Sequence, residues 1–279
     1  LLVLAVVMIA AAGYVINDYF DVRIDRINKP DEVVVDKGVK RRVAMIAHFV
    51  INALGVLLGI FVSWQSSVLG AGALIFVFAA SALWFYSIEF KRKFLIGNIV
   101  ISLLSAMIVM LPAFYELPFI TRHFSAADFM QRGVSYNSIF KVVMGLTTFA
   151  FLLSWIRELI KDMEDAEGDN AFGCKTFPIV MGMRASRVLG GFLITVVLCM
   201  MTILLMAHPE AERGMINYSW WYILGLSLLS LSLGILLIRA KEKQHFRRAS
   251  MFTKAVMMCG ICYWLLFAWL IHTGTWIIS

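Results

Sequence analysis

The chain has 279 residues, of which 61% are hydrophobic and 15% charged, whereas a soluble domain is about half apolar and about a quarter charged. This composition excludes a soluble globular domain and places the chain in a bilayer. The formal net charge is +7, but no basic stripe interleaved with aromatics stands outside the apolar stretches, which argues against a nucleic-acid partner.

Eight apolar segments follow one another, at about 1–18, 43–63, 69–89, 95–114, 138–156, 187–207, 218–238 and 252–272. Each is about long enough to cross a hydrocarbon core of roughly 30 Å as a helix. Within lipid a spanning segment must satisfy its own backbone hydrogen bonds, which a helix does. The expectation is an all-α polytopic membrane bundle, with Asp-rich cytoplasmic loops capping a central cavity and one domain over 1–279. The first segment, LLVLAVVMIAAAGYVI, opens without Met or a basic leader. It is read as a span already under way, so that an N-terminal part of the natural protein is expected to be missing.

The loops at 18–42, 90–94, 157–186 and 239–251, with the adjoining helix ends, hold 21 of the 25 Lys and Arg residues. The opposite side holds Arg122, Arg132, Lys141 and Arg213. The positive-inside rule makes the basic side cytoplasmic, and the expected location is a cell (inner) membrane. On the outer side, Ser125 and Asp128 in the loop 115–137 are read as the cap of a short interfacial helix.

At the cytoplasmic end of the first span stands Asn17-Asp18-Tyr-Phe-Asp21-Val-Arg-Ile-Asp25, and at that of the fifth Lys161-Asp162-Met-Glu-Asp165-Ala-Glu-Gly-Asp169. Both contain D-x-x-D-x-x-x-D, and offsets of 0, 3 and 7 put three carboxylates on one helix face. Two carboxylates about 4 Å apart repel by on the order of 4 kcal/mol at an effective dielectric of 20. Both clusters also sit toward helix C-termini, where the macrodipole disfavours anions. Such a placement favours a bound cation, and hard oxygen donors without His or Cys select Mg²⁺, Mn²⁺ or Ca²⁺. Glu158, Glu164 and Glu167 are placed on other helical faces and expected to be solvated.

These motifs resemble the two Asp-rich motifs of the UbiA superfamily of intramembrane prenyltransferases. The first family motif, N-D-x-x-D-x-x-x-D, is matched by Asn17, Asp18, Asp21 and Asp25. The second, D-x-x-x-D, is matched by Asp165 and Asp169, with Asp162 one turn earlier. The similarity continues through Asn28-Lys29-Pro30, Tyr86-Ser87, Lys91-Arg92, Gly97-Asn98 and Lys175-Thr-Phe-Pro178. The stretch Arg157 to Asp169, followed by Lys175-Thr-Phe-Pro178, most resembles the geranylgeranylglycerol-phosphate geranylgeranyltransferase branch. Two departures stand out. The family's Pro-Ser-Gly turn after the first motif is replaced by Asp31-Glu-Val-Val-Val-Asp36-Lys-Gly38, and Tyr86 and Lys91 are five apart where the family spaces them by four.

The resemblance implies nine transmembrane helices in the whole protein, and transfer of a prenyl chain from an isoprenyl diphosphate to a lipid or aromatic acceptor. Mg²⁺, or Mn²⁺ in its place, would be held by Asp18, Asp21, Asp25, Asp162, Asp165 and Asp169. Asp21, Asp165 and Lys161 are the candidate catalytic residues. Asn17, Lys91, Arg92, Lys161 and Lys175 are the candidates for diphosphate binding, with Tyr86 and Asn98 as weaker substrate contacts. The favoured acceptor is the hydroxyl of geranylgeranylglycerol phosphate, and an aromatic quinone precursor is the alternative. Intramembrane carboxylates also define a rival class, a cation transporter, although a transporter would be expected to place them near the bilayer midplane.

Cys259 and Cys262 form a CxxC inside an apolar run and are read as small helix-face residues. The five His residues (48, 123, 208, 245 and 272) show no ligand spacing. Trp220, Trp221 and Trp276 are read as interfacial anchors.

Overall fold

The computed structural model describes the backbone of residues 1–123, 136–206 and 218–272. The expected cap at 125–128, together with Arg132, His208, Arg213 and Trp276, lies outside the described residues, as do the side chains of Arg122, His123 and His272. Within them the chain is helical: α1 (Leu2–Asn28), α2 (Arg41–Gln65), α3 (Leu69–Ile88), a 3₁₀ turn (Phe90–Arg92), α4 (Ile96–His123), α5 (Tyr136–Ala171), α6 (Phe177–Met206), α7 (Tyr218–Arg239) and α8 (Lys243–His272). All eight α-helices are long and apolar enough to cross a membrane, and the chain is an integral membrane protein. The expected all-α bundle and its eight spans stand.

Several helices run past the apolar segments. α1 continues through the first Asp motif to Asn28, and α5 continues through the second to Ala171. The motifs are therefore helix ends rather than loops. The apolar pattern ends before the helix does, because Asp, Glu, Arg and Lys can carry the helix further. A short turn, 172–176, leads into α6, which is interrupted at Gly182 (φ 84°, ψ 161°). That conformation is open to glycine and strained for other residues.

Two compact units are distinguishable, Leu1–His123 with Asp165–Val180, and Phe124–Glu164 with Met181–Ser279. In the first, Ala5, Ile9, Val62, Phe76, Ala80, Leu111 and Tyr115 form a buried cluster from α1 to α4. Small residues let these helices approach. A Cβ on Gly55 would lie 2.9 Å from Ile9, and one on Gly72 2.6 Å from the Tyr115 hydroxyl, the close packing that holds helices together in lipid. The Tyr115 hydroxyl meets Ser63 Oγ at 2.8 Å. His48 is buried, with Nδ1 2.9 Å from the Ala12 carbonyl, a structural role.

In the second unit, Tyr222 Oη donates to the Cys259 carbonyl at 2.5 Å, linking α7 to α8. Arg187 of α6 donates to the Ile238 and Ala240 carbonyls at 3.4 and 3.3 Å. The Ile238 carbonyl lies in the last turn of α7, where carbonyls lack intrahelical partners, and Ala240 directly follows the helix. A cavity of about 630 Å³ lies along α6 in this unit, lined by Met181, Arg184, Ala185, Val188, Leu189 and Phe192. None of these residues belongs to an Asp motif.

Candidate active site

The first motif lies on the last three turns of α1. Asp21 is 6% exposed, Asp25 is half-buried and Asp18 is exposed. The Lys91 ammonium lies against Asp21 Oδ1 and donates to Asn17 Oδ1 at 3.3 Å. Asp21 Oδ1 is buried, and the Lys91 ammonium beside it supplies the compensating charge.

Lys91 is aimed by its own turn. The 3₁₀ turn packs against the start of α4, where a Cβ on Gly97 would fall 2.7 Å from Lys91 Cα and 2.9 Å from the Phe90 carbonyl oxygen. Leu95 is held at φ 56°, a left-handed conformation that costs an L-residue on the order of 1 kcal/mol. Such strain persists where surrounding contacts over-determine the backbone. Here the Lys175 N–H donates to the Arg92 carbonyl at 2.8 Å, and the Phe94 and Phe177 rings stand 5.2 Å apart. The turn carrying Lys91 is thereby tied to the segment that follows the second motif.

The loop that departs from the family pattern is anchored on α1. Val35 is buried with Val22 and Ala44, Asp36 takes φ 72° and pairs with Arg26 at 3.6 Å, and Arg41 stacks over the Tyr19 ring at 4.5 Å.

The second motif occupies the last turns of α5. Asp162, Asp165 and Asp169 are each half-buried. Lys29 Nζ is 3.5 Å from Asp165 Oδ2, and Asp165 Oδ1 is buried and accepts no hydrogen bond. Asn28 Nδ2 donates to the Asp165 carbonyl at 3.1 Å, and the Gly168 N–H donates to Asn28 Oδ1 at 3.0 Å. These bonds bring the end of α1 to the end of α5, so the first motif and the Asp165–Asp169 part of the second meet in the first unit. Lys161 and Asp162 stand one turn before Asp165 on the same helix.

The other candidates differ in exposure. The Arg92 and Lys175 side chains are exposed, and Tyr86 is half-buried. Asn98 is 6% exposed, and its carbonyl accepts the Ser102 hydroxyl at 2.5 Å.

Glu158 and Glu164 require correction, since they are 5% and 9% exposed rather than solvated. Glu158 precedes Asp162 by four residues, which places it on the Asp face of α5, one turn deeper. Its Oε1 accepts from Arg157 Nη1 at 2.5 Å, and this neighbouring cation is what makes burial of the carboxylate tolerable. Glu167 is exposed.

Among the described residues no three acidic, imidazole or thiol side chains converge as a ready-made metal cage. The donor set still fits Mg²⁺, which takes one or two carboxylates and completes its octahedron with water and substrate phosphate. The buried Asp165 Oδ1, with no hydrogen bond to satisfy it, is an acceptor of the kind a cation would use.

The sequence profile of the UbiA prenyltransferase family matches residues 1–256. The chain is 33% identical to a digeranylgeranylglyceryl phosphate synthase of Methanothermobacter thermautotrophicus over 64% of its own length and 54% of that protein's. It is 27% identical to the synthase of Methanobrevibacter smithii over 92% of its own length and 82% of that protein's. The chain thus spans from about half to about four-fifths of these two relatives. A solved structure of a digeranylgeranylglyceryl phosphate synthase superposes with a TM-score of 0.60 at 25% identity, covering 93% of this chain and 81% of that one. The apo structure of a UbiA homologue from Aeropyrum pernix superposes with a TM-score of 0.63 at 15% identity, covering 95% of this chain and 88% of that one, and supports the fold alone. With both Asp motifs intact and the profile matched over most of its length, the chain belongs to the UbiA prenyltransferase family.

Proposed function

We propose that the chain catalyses the Mg²⁺-dependent transfer of a geranylgeranyl group from its diphosphate to the hydroxyl of geranylgeranylglycerol phosphate, a step of membrane lipid biosynthesis, at the cytoplasmic face of the cell membrane. The observation that carries this reading is the junction of the two Asp motifs through Asn28, with Lys91 and Lys29 beside Asp21 and Asp165. The names of the relatives support the choice of acceptor.

Asp18, Asp21 and Asp25 on α1, with Asp162, Asp165 and Asp169 on α5, would hold Mg²⁺ or Mn²⁺. When bound, the metal acts as a Lewis acid that neutralises diphosphate charge and makes it a competent leaving group. Asn17, Lys91, Arg92, Lys161 and Lys175 donate to the diphosphate oxygens. Apolar helices shield the allylic cation from water until the acceptor hydroxyl oxygen attacks C1, the carbon that carried the diphosphate, and the hydroxyl proton leaves with the released diphosphate.

The test is to reconstitute the purified chain with geranylgeranyl diphosphate and a panel of glycerol-phosphate and aromatic acceptors, and to identify products by mass. The reading expects digeranylgeranylglyceryl phosphate with Mg²⁺ and none with EDTA. A prenylated aromatic product alone would overturn the acceptor. Cation flux in vesicles with no transfer would overturn the reaction.

A further inference from the structure

Asn28 is the last residue of α1, three positions beyond Asp25. The C-cap of α1 is Lys29, whose N–H bonds to the Asp25 carbonyl, and not Asn28. The buried Asn28 amide lies edge-on against the backbone of α5, donating to the Asp165 carbonyl at 3.1 Å and accepting from the Gly168 N–H at 3.0 Å. A primary amide presents a donor and an acceptor side by side, the pairing edge of a peptide group. Both α5 contacts fall inside the second motif, on Asp165 itself and one residue before Asp169.

Gly168 makes the approach possible. A Cβ there would lie 2.5 Å from Asn28 Oδ1 and 2.6 Å from its Cγ and Nδ2. The residue lies within a helix and not at a positive φ, so its glycine answers a close approach rather than a backbone conformation. The two helix ends carry six motif carboxylates between them, whose mutual repulsion would drive them apart. A neutral amide joins them without adding charge and without occupying a carboxylate oxygen.

We propose that Asn28 and Gly168 form a brace that sets the second Asp motif in register with the first, so that both present carboxylates to one metal–diphosphate group. Asn28 is a positioning residue, and its role rests on the two-motif reading proposed above. Without the brace, metal binding must also draw the helix ends together, and the metal requirement rises.

The experiment compares Asn28→Ala, Gly168→Ala, the double variant and Asp165→Ala, all as the full chain in nanodiscs. Turnover is followed against Mg²⁺ concentration, and backbone hydrogen exchange of the segment containing Gly168 is followed without metal. Each brace variant should raise the Mg²⁺ concentration for half-maximal turnover about tenfold, the factor carried by one or two lost hydrogen bonds. Turnover at saturating Mg²⁺ should fall less than about threefold, because excess metal restores the register. The double variant should be no worse than the worse single one, since both remove the same contact. Exchange at Gly168 should quicken in Asn28→Ala.

Merely structural damage would lower the active fraction and leave the metal midpoint unchanged. Gly168→Ala keeps α5 helical, because alanine is the better helix former, so its effect falls on the contact with Asn28. A wild-type metal midpoint in both single variants, or additive losses in the double, would overturn the brace. If Asp165→Ala abolishes turnover while Asn28→Ala keeps the wild-type midpoint, the brace alone falls. If Asp165→Ala retains turnover, the two-motif reading falls with it.

Discussion

The Lys91 ammonium rests against the Asp21 carboxylate in a pair where the two side chains are 14% and 9% exposed. Removing one partner of a buried pair leaves an uncompensated charge, a loss on the order of 3 kcal/mol. Lys91→Met should therefore lower the thermal midpoint of the purified protein in EDTA. Added Mg²⁺ should recover part of that loss, because a cation at Asp21 takes over the compensation. Turnover should stay depressed at saturating Mg²⁺, with the KM for the diphosphate raised about tenfold for the lost charged donor. An unchanged midpoint in EDTA would show that the pair contributes nothing to the fold.

Asp21→Ala and Asp165→Ala remove the central carboxylate of each motif. Each should lower turnover by at least about a hundredfold, since each withdraws charge that anchors the metal needed for ionisation. EDTA should silence the wild-type protein, and Mg²⁺ or Mn²⁺ should restore it. Near-normal turnover in either variant, at confirmed protein levels, would reject the roles assigned to these residues.

The spans and both motifs are legible in the sequence because each depends on a local period. Apolar length reports a crossing, and offsets of 0, 3 and 7 report one helix face. The contacts that join the motifs are not legible in that way. Asn28 and Lys29 touch Asp165 and Gly168 only because two helices distant in sequence end side by side. Val35 lies in a charged stretch, and only its packing on Val22 and Ala44 explains it. Glu158 is a different case. Its offset of four from Asp162 was readable, and continuing the Asp stripe one turn back would have found it.

Gly97→Ala tests the turn that carries Lys91. The added methyl would meet Lys91 Cα and the Phe90 carbonyl oxygen at 2.7 and 2.9 Å. Both are backbone atoms, and no flexible side chain can yield in their place. The turn itself must move, and it is already held by the Lys175 N–H and by Phe177. Turnover should fall about tenfold through a higher diphosphate KM, as binding groups lose alignment. The Mg²⁺ midpoint should move less than in Asn28→Ala, because the Asp165 side of the site is untouched. A larger metal shift than in Asn28→Ala would show that the turn shapes the metal ligands rather than the phosphate donors.

Glu158 and Glu167 share α5 but lie nine residues apart, on opposite faces of the helix. Glu167 is exposed, and Glu167→Gln should change stability by no more than about 0.5 kcal/mol. Glu158 is buried and accepts from Arg157 at 2.5 Å. Glu158→Ala strands a guanidinium that is 23% exposed and should destabilise by about 2–3 kcal/mol, toward the lower end for a broken buried pair because water still reaches it. Arg157→Gln should be at least as harmful, since it strands the more deeply buried partner. The double variant Arg157→Gln with Glu158→Ala removes both charges together and should recover a large part of either loss. Thermal midpoints of the four proteins, measured in one detergent and without metal, decide the matter. If the double variant is as unstable as the sum of its parts, Glu158 is held by something other than Arg157, and its place on the Asp face of α5 gains a reason that the ion pair does not supply.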